Sequence, residues 1–173
     1  MRKKYQIIKT FTFDAGHRMY NHDLLSDRGA ELLKDKASTL GWKRYQCSHP
    51  HGHTFRVEIV IESDFLDNQN VVLDTDKIKR VIKDFMDIYD HAYIIGKDDP
   101  LREDFIKLFQ GYRVVVIDAV PTAEAIAEEI YNFFDNRFKV LATDEYKKTF
   151  KLSEIRLRMA STIEAIYKKE EES

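Results

Sequence analysis

The chain has 173 residues, 43% hydrophobic and 34% charged, the make-up of one folded unit that can fill a core without disulfide or metal staples. A formal net charge of −2 argues against a general nucleic-acid binder, and no apolar run approaches the length of a membrane-spanning helix. One cysteine, Cys47, rules out an intramolecular disulfide and fits a reducing cytoplasm.

Met1-Arg2-Lys3-Lys4 leads into alternation rather than a continuous apolar stretch, so no secretory signal is expected. Tyr5, Ile7, Phe11, Phe13 and Ala15 then fall at every second position, interrupted by Lys9, and the parity continues to His17. This predicts a half-buried strand. His53, Phe55, Val57, Ile59 and Ile61 predict a second. Between them, Asp27 is a candidate cap for a helix carrying Leu32, Leu33 and Leu40. A helix is predicted after Asp74, Thr75 or Asp76, because Ile78, Val81, Ile82, Phe85 and Tyr89 recur at three- and four-residue steps. Val114 to Ile117 reads as a short buried strand. Thr122 is the expected N-cap of a second helix with the stripe Ala123, Ile126, Ala127, Ile130 and Phe134. Two short strands follow, Glu154 to Met159 and Glu164 to Lys168, with a turn from Ala160 to Ile163. The order ββααββ predicts a single α+β domain over residues 1–173, with an antiparallel sheet and its helices on one face. Residues 18–46 and 94–120 are insertions into that plan. The opposite sheet face is expected to be partly apolar and to need a partner.

In an extended chain, positions i and i+2 face the same side, so His51 and His53 can converge on one metal ion. Gly52 between them permits close backbone approach. If the first two strands pair antiparallel, His17 arrives beside them. Three nitrogen ligands with an open fourth position are the pattern of catalytic zinc; the alternative is two unrelated histidines flanking a glycine. Cys47, four residues before His51, is either a reactive thiol or a small buried hydrophobe. Asp90-His91 is either a proton relay or an ordinary helix end. Thr122 and Glu124 suit a helix start without any further role. Arg18, Lys43 and Arg44 are anion-binding candidates by charge alone.

Taken in order, Phe13-Asp14-Ala15-Gly16-His17, Cys47-Ser48-His49-Pro50-His51-Gly52-His53, Asp90-His91 and Pro121-Thr122-Ala123-Glu124 resemble the 6-pyruvoyl-tetrahydropterin synthase / QueD family over nearly the whole chain. The resemblance implies the tunnelling fold, in which subunits join their sheets into a barrel as trimers or hexamers with active sites at the interfaces. It implies zinc on His17, His51 and His53, a proton-transferring Cys47 with Asp90 and His91 as its relay, and pterin binding by Thr122 and Glu124. The spacing from Cys47 to His51 is that of the QueD branch. That branch converts 7,8-dihydroneopterin triphosphate to 6-carboxy-5,6,7,8-tetrahydropterin, releasing acetaldehyde and triphosphate, on the route to queuosine. Neither nucleic acid nor membrane is an implied partner. The same residues would also serve a 6-pyruvoyl-type or other pterin side-chain enzyme. One position departs from the family: Met159 stands where a pterin-anchoring glutamate is expected, and a thioether cannot accept the N–H pair of a pterin edge. Glu124 and Glu164 are candidate substitutes, and a non-catalytic zinc or pterin binder is the reading of another class.

Overall fold

The computed structural model describes residues 3–20, 46–141 and 150–170. The alternating rows form two long strands, β1 (Tyr5–His17) and β2 (His51–Ser63), paired antiparallel from Tyr5↔Ser63 to His17↔His51. Antiparallel β5 (Lys151–Ala160) and β6 (Ile163–Tyr167) extend the sheet beyond β2, with a register irregularity opposite Val60 and Ile61. This is the expected antiparallel set. Region 94–120 adds to it: β3 (Ala92–Gly96) and β4 (Val114–Ile117) run parallel to β1, so the sheet is mixed, in the order β4-β3-β1-β2-β5-β6. Only Ile117 of β4 is fully buried, and Val116 is 44% exposed, so this is an edge strand rather than the buried one expected.

Among the described residues, three helices complete the α+β fold. The first, α1 (Thr75–Tyr89), is capped by Asp74, whose carboxylate accepts the Asp76 amide at 2.9 Å. Its buried face is Ile78, Val81, Phe85 and Tyr89, and Ile82, the fifth residue of the predicted stripe, is partly buried beside them. A short α2 (Arg102–Leu108) was not foreseen in the sequence. The third, α3 (Ala123–Leu141), buries Ala123, Ile126, Ala127, Ile130 and Phe134, as its periodicity predicts. Phe85 sits at the centre of the core. Its ring lies 5.2 Å from Phe13, 5.6 Å from Phe11, 4.4 Å from Tyr89 and 5.7 Å from Phe134, which joins α1 and α3 to the sheet. Each fully buried ring of this kind stabilises the fold by about 1.5–3 kcal/mol.

The sheet face away from the helices is apolar at Ile8 and Ile166 but is otherwise dominated by charge and hydroxyls. Arg156 bridges Glu154 at 2.6 Å and Glu58 at 3.8 Å, and Arg158 reaches Glu164 at 3.4 Å. The predicted helix with Leu32, Leu33 and Leu40, together with Lys43 and Arg44, lies outside the described residues. Among the described residues no helix is long and apolar enough to cross a membrane.

Candidate metal centre

The core-facing row of aromatic side chains ends in imidazoles. Along β2 it runs Phe55, His53, His51; along β1 it runs Phe13, Ala15, His17. Antiparallel pairing sets His17 opposite His51 and Ala15 opposite His53. The ring centroids are 4.5 Å apart for His17 and His51, 5.3 Å for His17 and His53, and 4.9 Å for His51 and His53. One nitrogen from each ring lies within 4.8 Å of the other two. The convergence needs little side-chain bulk between the pairs, and Gly16 and Gly52 face each other there. A Cβ on Gly16 would stand 2.9 Å from the Tyr93 ring, and one on Gly52 3.3 Å from the Ala15 carbonyl oxygen.

Main-chain carbonyls orient two of the rings. Nδ1 of His17 is 2.7 Å from the Pro121 oxygen, and Nδ1 of His51 is 2.7 Å from the His49 oxygen. An Nδ1–H donated to a carbonyl leaves the Nε2 lone pair free for a cation. In His17 that Nε2 is buried without a hydrogen-bond partner, an orphan that a bound ion would satisfy. Burial lowers the His17 pKa to about 4; the Pro121 hydrogen bond opposes the shift, and the neighbouring His51 and His53 add to it. Burial, then His51, also pushes His53 below its ordinary value. Rings held neutral are ready ligands. The three imidazoles are therefore a donor set that could hold a metal ion of the kind that nitrogen ligands suit.

Cys47 is exposed on a single 3-10 turn, Gln46–Ser48, just before β2, and stands apart from the three-imidazole group. Its carbonyl accepts the Met19 amide at 2.7 Å, which holds it beside the end of β1. Asp90 closes α1, and its Oδ2 lies 2.9 Å from Nδ1 of His91. Its other carboxylate oxygen, Oδ1, accepts the Asp14 amide at 3.0 Å. Burial raises the Asp90 pKa, but the Asp14 amide, His91 and Arg113 outweigh it and hold the carboxyl below its ordinary value. A groove of about 430 Å³ is lined by Asp14, Gly16, Gly52, His53, Thr54 and His91, so His91 and one of the three clustered histidines, His53, border the same opening.

Thr122 is the helix cap, its Oγ1 accepting the Ala125 amide at 3.2 Å, and Glu124 is exposed in the first turn of α3. Met159 packs partly buried against the core. Arg18 does not offer a free charge to an anion: its Nε is 2.8 Å from Oδ2 of the buried Asp99. Sequence reasoning missed Pro121, which acts through a main-chain oxygen and so leaves no residue-type signal. It also missed Asp99 and Arg113, both within 94–120.

The family model described as 6-pyruvoyl tetrahydropterin synthase matches residues 6–170. A 6-carboxy-5,6,7,8-tetrahydropterin synthase of Aquifex aeolicus is 32% identical over 139 residues, 79% of this chain and 82% of that protein. One of Rickettsia typhi is 28% identical over 78% of this chain and 88% of its own length. Among solved structures, an uncharacterized protein of Wolinella succinogenes superposes with a TM-score of 0.69 at 25% identity, covering 97% of this chain and 99% of that one. The 6-pyruvoyl tetrahydropterin synthase of Caenorhabditis elegans shares the fold, with a TM-score of 0.60 at 18% identity, covering 97% of each chain.

Proposed function

Since the chain belongs to the 6-pyruvoyl tetrahydropterin synthase family, we propose that it converts 7,8-dihydroneopterin triphosphate to 6-carboxy-5,6,7,8-tetrahydropterin, releasing acetaldehyde and triphosphate, as a step of queuosine biosynthesis in the cytoplasm. The observation that carries this reading is the convergence of one nitrogen each from His17, His51 and His53 at the end of the paired strands β1 and β2. The three imidazoles would hold zinc, which would supply a Lewis acid to polarise the hydroxyls of the substrate side chain and acidify the neighbouring C–H. Cys47 takes that proton as its thiolate. Asp90 fixes the tautomer of His91, and the pair carries the proton onward. Thr122 and Glu124 serve the pterin ring of a neighbouring subunit, for which the exposure of Glu124 is suited. The enzyme acts as a homo-oligomer, a trimer or hexamer. Its support is a sheet whose edge strands among the described residues are β4 and β6, of which β6 exposes Ile163 and Ile166.

Incubating the zinc-loaded protein with 7,8-dihydroneopterin triphosphate tests the reaction. Carboxytetrahydropterin and acetaldehyde are the expected products, and a protein that forms neither is not this synthase. A pyruvoyl product by mass would assign it to the 6-pyruvoyl-type alternative. Cys47→Ala is expected to keep zinc and lose turnover.

A second reading, a zinc and pterin binder without turnover, rests on Met159. Its side chain packs against the core and presents no carboxylate to a pterin amide edge. Saturable pterin binding by a wild-type protein that forms no product selects this reading over the first.

A further inference from the structure

The turn between α1 and β3 reverses the chain without a glycine. His91 supplies the reversal itself, at φ 59°, in the left-handed region that side chains rarely adopt. Such a backbone persists only where its surroundings fix it, and the Asp90–His91 peptide is fixed at both ends. Its N–H donates to the Asp14 carbonyl at 2.6 Å, and its C=O accepts from Nη1 of Arg113 at 2.6 Å. Arg113 is itself anchored two residues beyond the turn, its carbonyl accepting the Tyr93 amide at 2.9 Å. With the peptide plane pinned, the carboxylate on one side and the ring on the other meet at 2.9 Å.

We propose that Arg113 is a positioning residue for the Asp90–His91 pair, holding the Asp90 carbonyl so that the left-handed turn presents the His91 ring to the groove with its Nδ1–H on Asp90. The assignment rests on the reading of that pair as a proton relay. Arg113 is exposed and belongs to no packed cluster of the core, so its hydrogen bond to the turn is the reason for its geometry rather than a by-product of burial. Its positive charge also favours the ionised Asp90 that the ring needs as an acceptor.

The test uses zinc-loaded wild type, R113M and R113K. Nitrogen NMR of the His91 ring reads the tautomer directly, whether or not the protein turns over a pterin. In the wild type and in R113K, which keeps a donor for the carbonyl, the ring is expected as the Nδ1–H form. In R113M it shifts toward the Nε2–H form of a free imidazole. With dihydroneopterin triphosphate, R113M is expected to lower kcat about tenfold with KM within about twofold, a modest misplacement of the relay. In an H91A background the same substitution adds less than about twofold. A His91 tautomer unchanged in R113M, or a loss that multiplies in full with that of H91A, overturns the proposal. A wild type that turns over no pterin removes the relay reading alone, and the ring measurement still decides what Arg113 holds.

Discussion

Nδ1 of His17 and the carbonyl oxygen of Pro121 lie 2.7 Å apart across 104 residues of chain. The contact ties the last residue of β1 to the entry of α3. It turns the loop before a helix into the orienting shell of a candidate metal ligand. The Pro121 oxygen is aimed by its neighbours: the Thr122 amide donates to the Val120 carbonyl at 2.7 Å, and Thr122 Oγ1 caps the helix.

Thr122→Ala is therefore expected to act twice. Losing the cap costs about 0.5–2 kcal/mol of stability. Freeing the turn also loosens the His17 orientation, and zinc affinity should fall by roughly 10–100-fold, the range of an orienting partner. Thr122→Ser keeps the hydroxyl and should retain both. Thermal denaturation and competition with a zinc-binding dye measure the two effects; a T122A protein with wild-type zinc affinity would show that the cap does not aim Pro121.

The histidine cluster was legible because period-two burial fixes which side chains share a face, and antiparallel pairing then fixes which ends meet. Tyr5 to His17 and His53 to Ile61 carried both pieces of information. The helices α1 and α3 were legible from their stripes. What stayed hidden is non-local or main-chain. β3 follows α1 with no glycine or proline at the junction, since His91 itself takes the left-handed turn. The Pro121 and His49 carbonyls are acceptors that any residue could provide. Arg18 looked like a free cation because its partner Asp99 is 81 residues away and lies in a region that read as an insertion.

Zinc loading gives the second prediction. A ligand at 100 times its Kd stabilises the folded protein by about 2.7 kcal/mol, which for a chain of this size raises Tm by roughly 5–10 °C. Chelation should remove that increment from the wild type and leave His17→Ala and His53→Ala unchanged. Metal content per protomer and melting with and without chelator read the outcome. A wild type whose Tm ignores both zinc and chelator would leave the three imidazoles as a packed cluster without a metal.

The Arg18–Asp99 pair gives the third. Asp99 is fully buried, Arg18 is 12% exposed, and Nε to Oδ2 is 2.8 Å. Asp99→Asn keeps the bond that the Leu101 amide makes to this side chain but leaves a guanidinium in a nearly dry site. Removing one partner of such a pair costs about 3–5 kcal/mol. Adding Arg18→Met to Asp99→Asn should recover most of that loss, because the desolvation penalty disappears with the charges and the Leu101 amide keeps its acceptor. Urea denaturation of the two variants checks the ordering; a double variant as weak as Asp99→Asn would show that the ion pair itself stabilises the fold.

Glu62 gives the prediction about pH. It lies at the far end of β2, 4% exposed, with Lys4 at 2.8 Å, Gln6 at 3.2 Å and Lys151 at 3.4 Å. Burial alone would raise its pKa; the bonds to Lys4, Gln6 and Ser153 prevail and hold the carboxyl below its ordinary value. A carboxylate whose folded pKa is depressed binds fewer protons folded than unfolded. Its stabilisation is thus fully present above about pH 4.5 and is lost as pH falls through the lower folded value. Glu62→Gln should cost about 1 kcal/mol at neutral pH, because Gln6 and the two lysines lose a charged acceptor. The same substitution should flatten the acid limb of the stability curve while leaving the neutral plateau flat. Denaturant midpoints taken from pH 7 down to pH 3 decide it: an acid limb equally steep in both proteins would assign the acid sensitivity to other carboxylates.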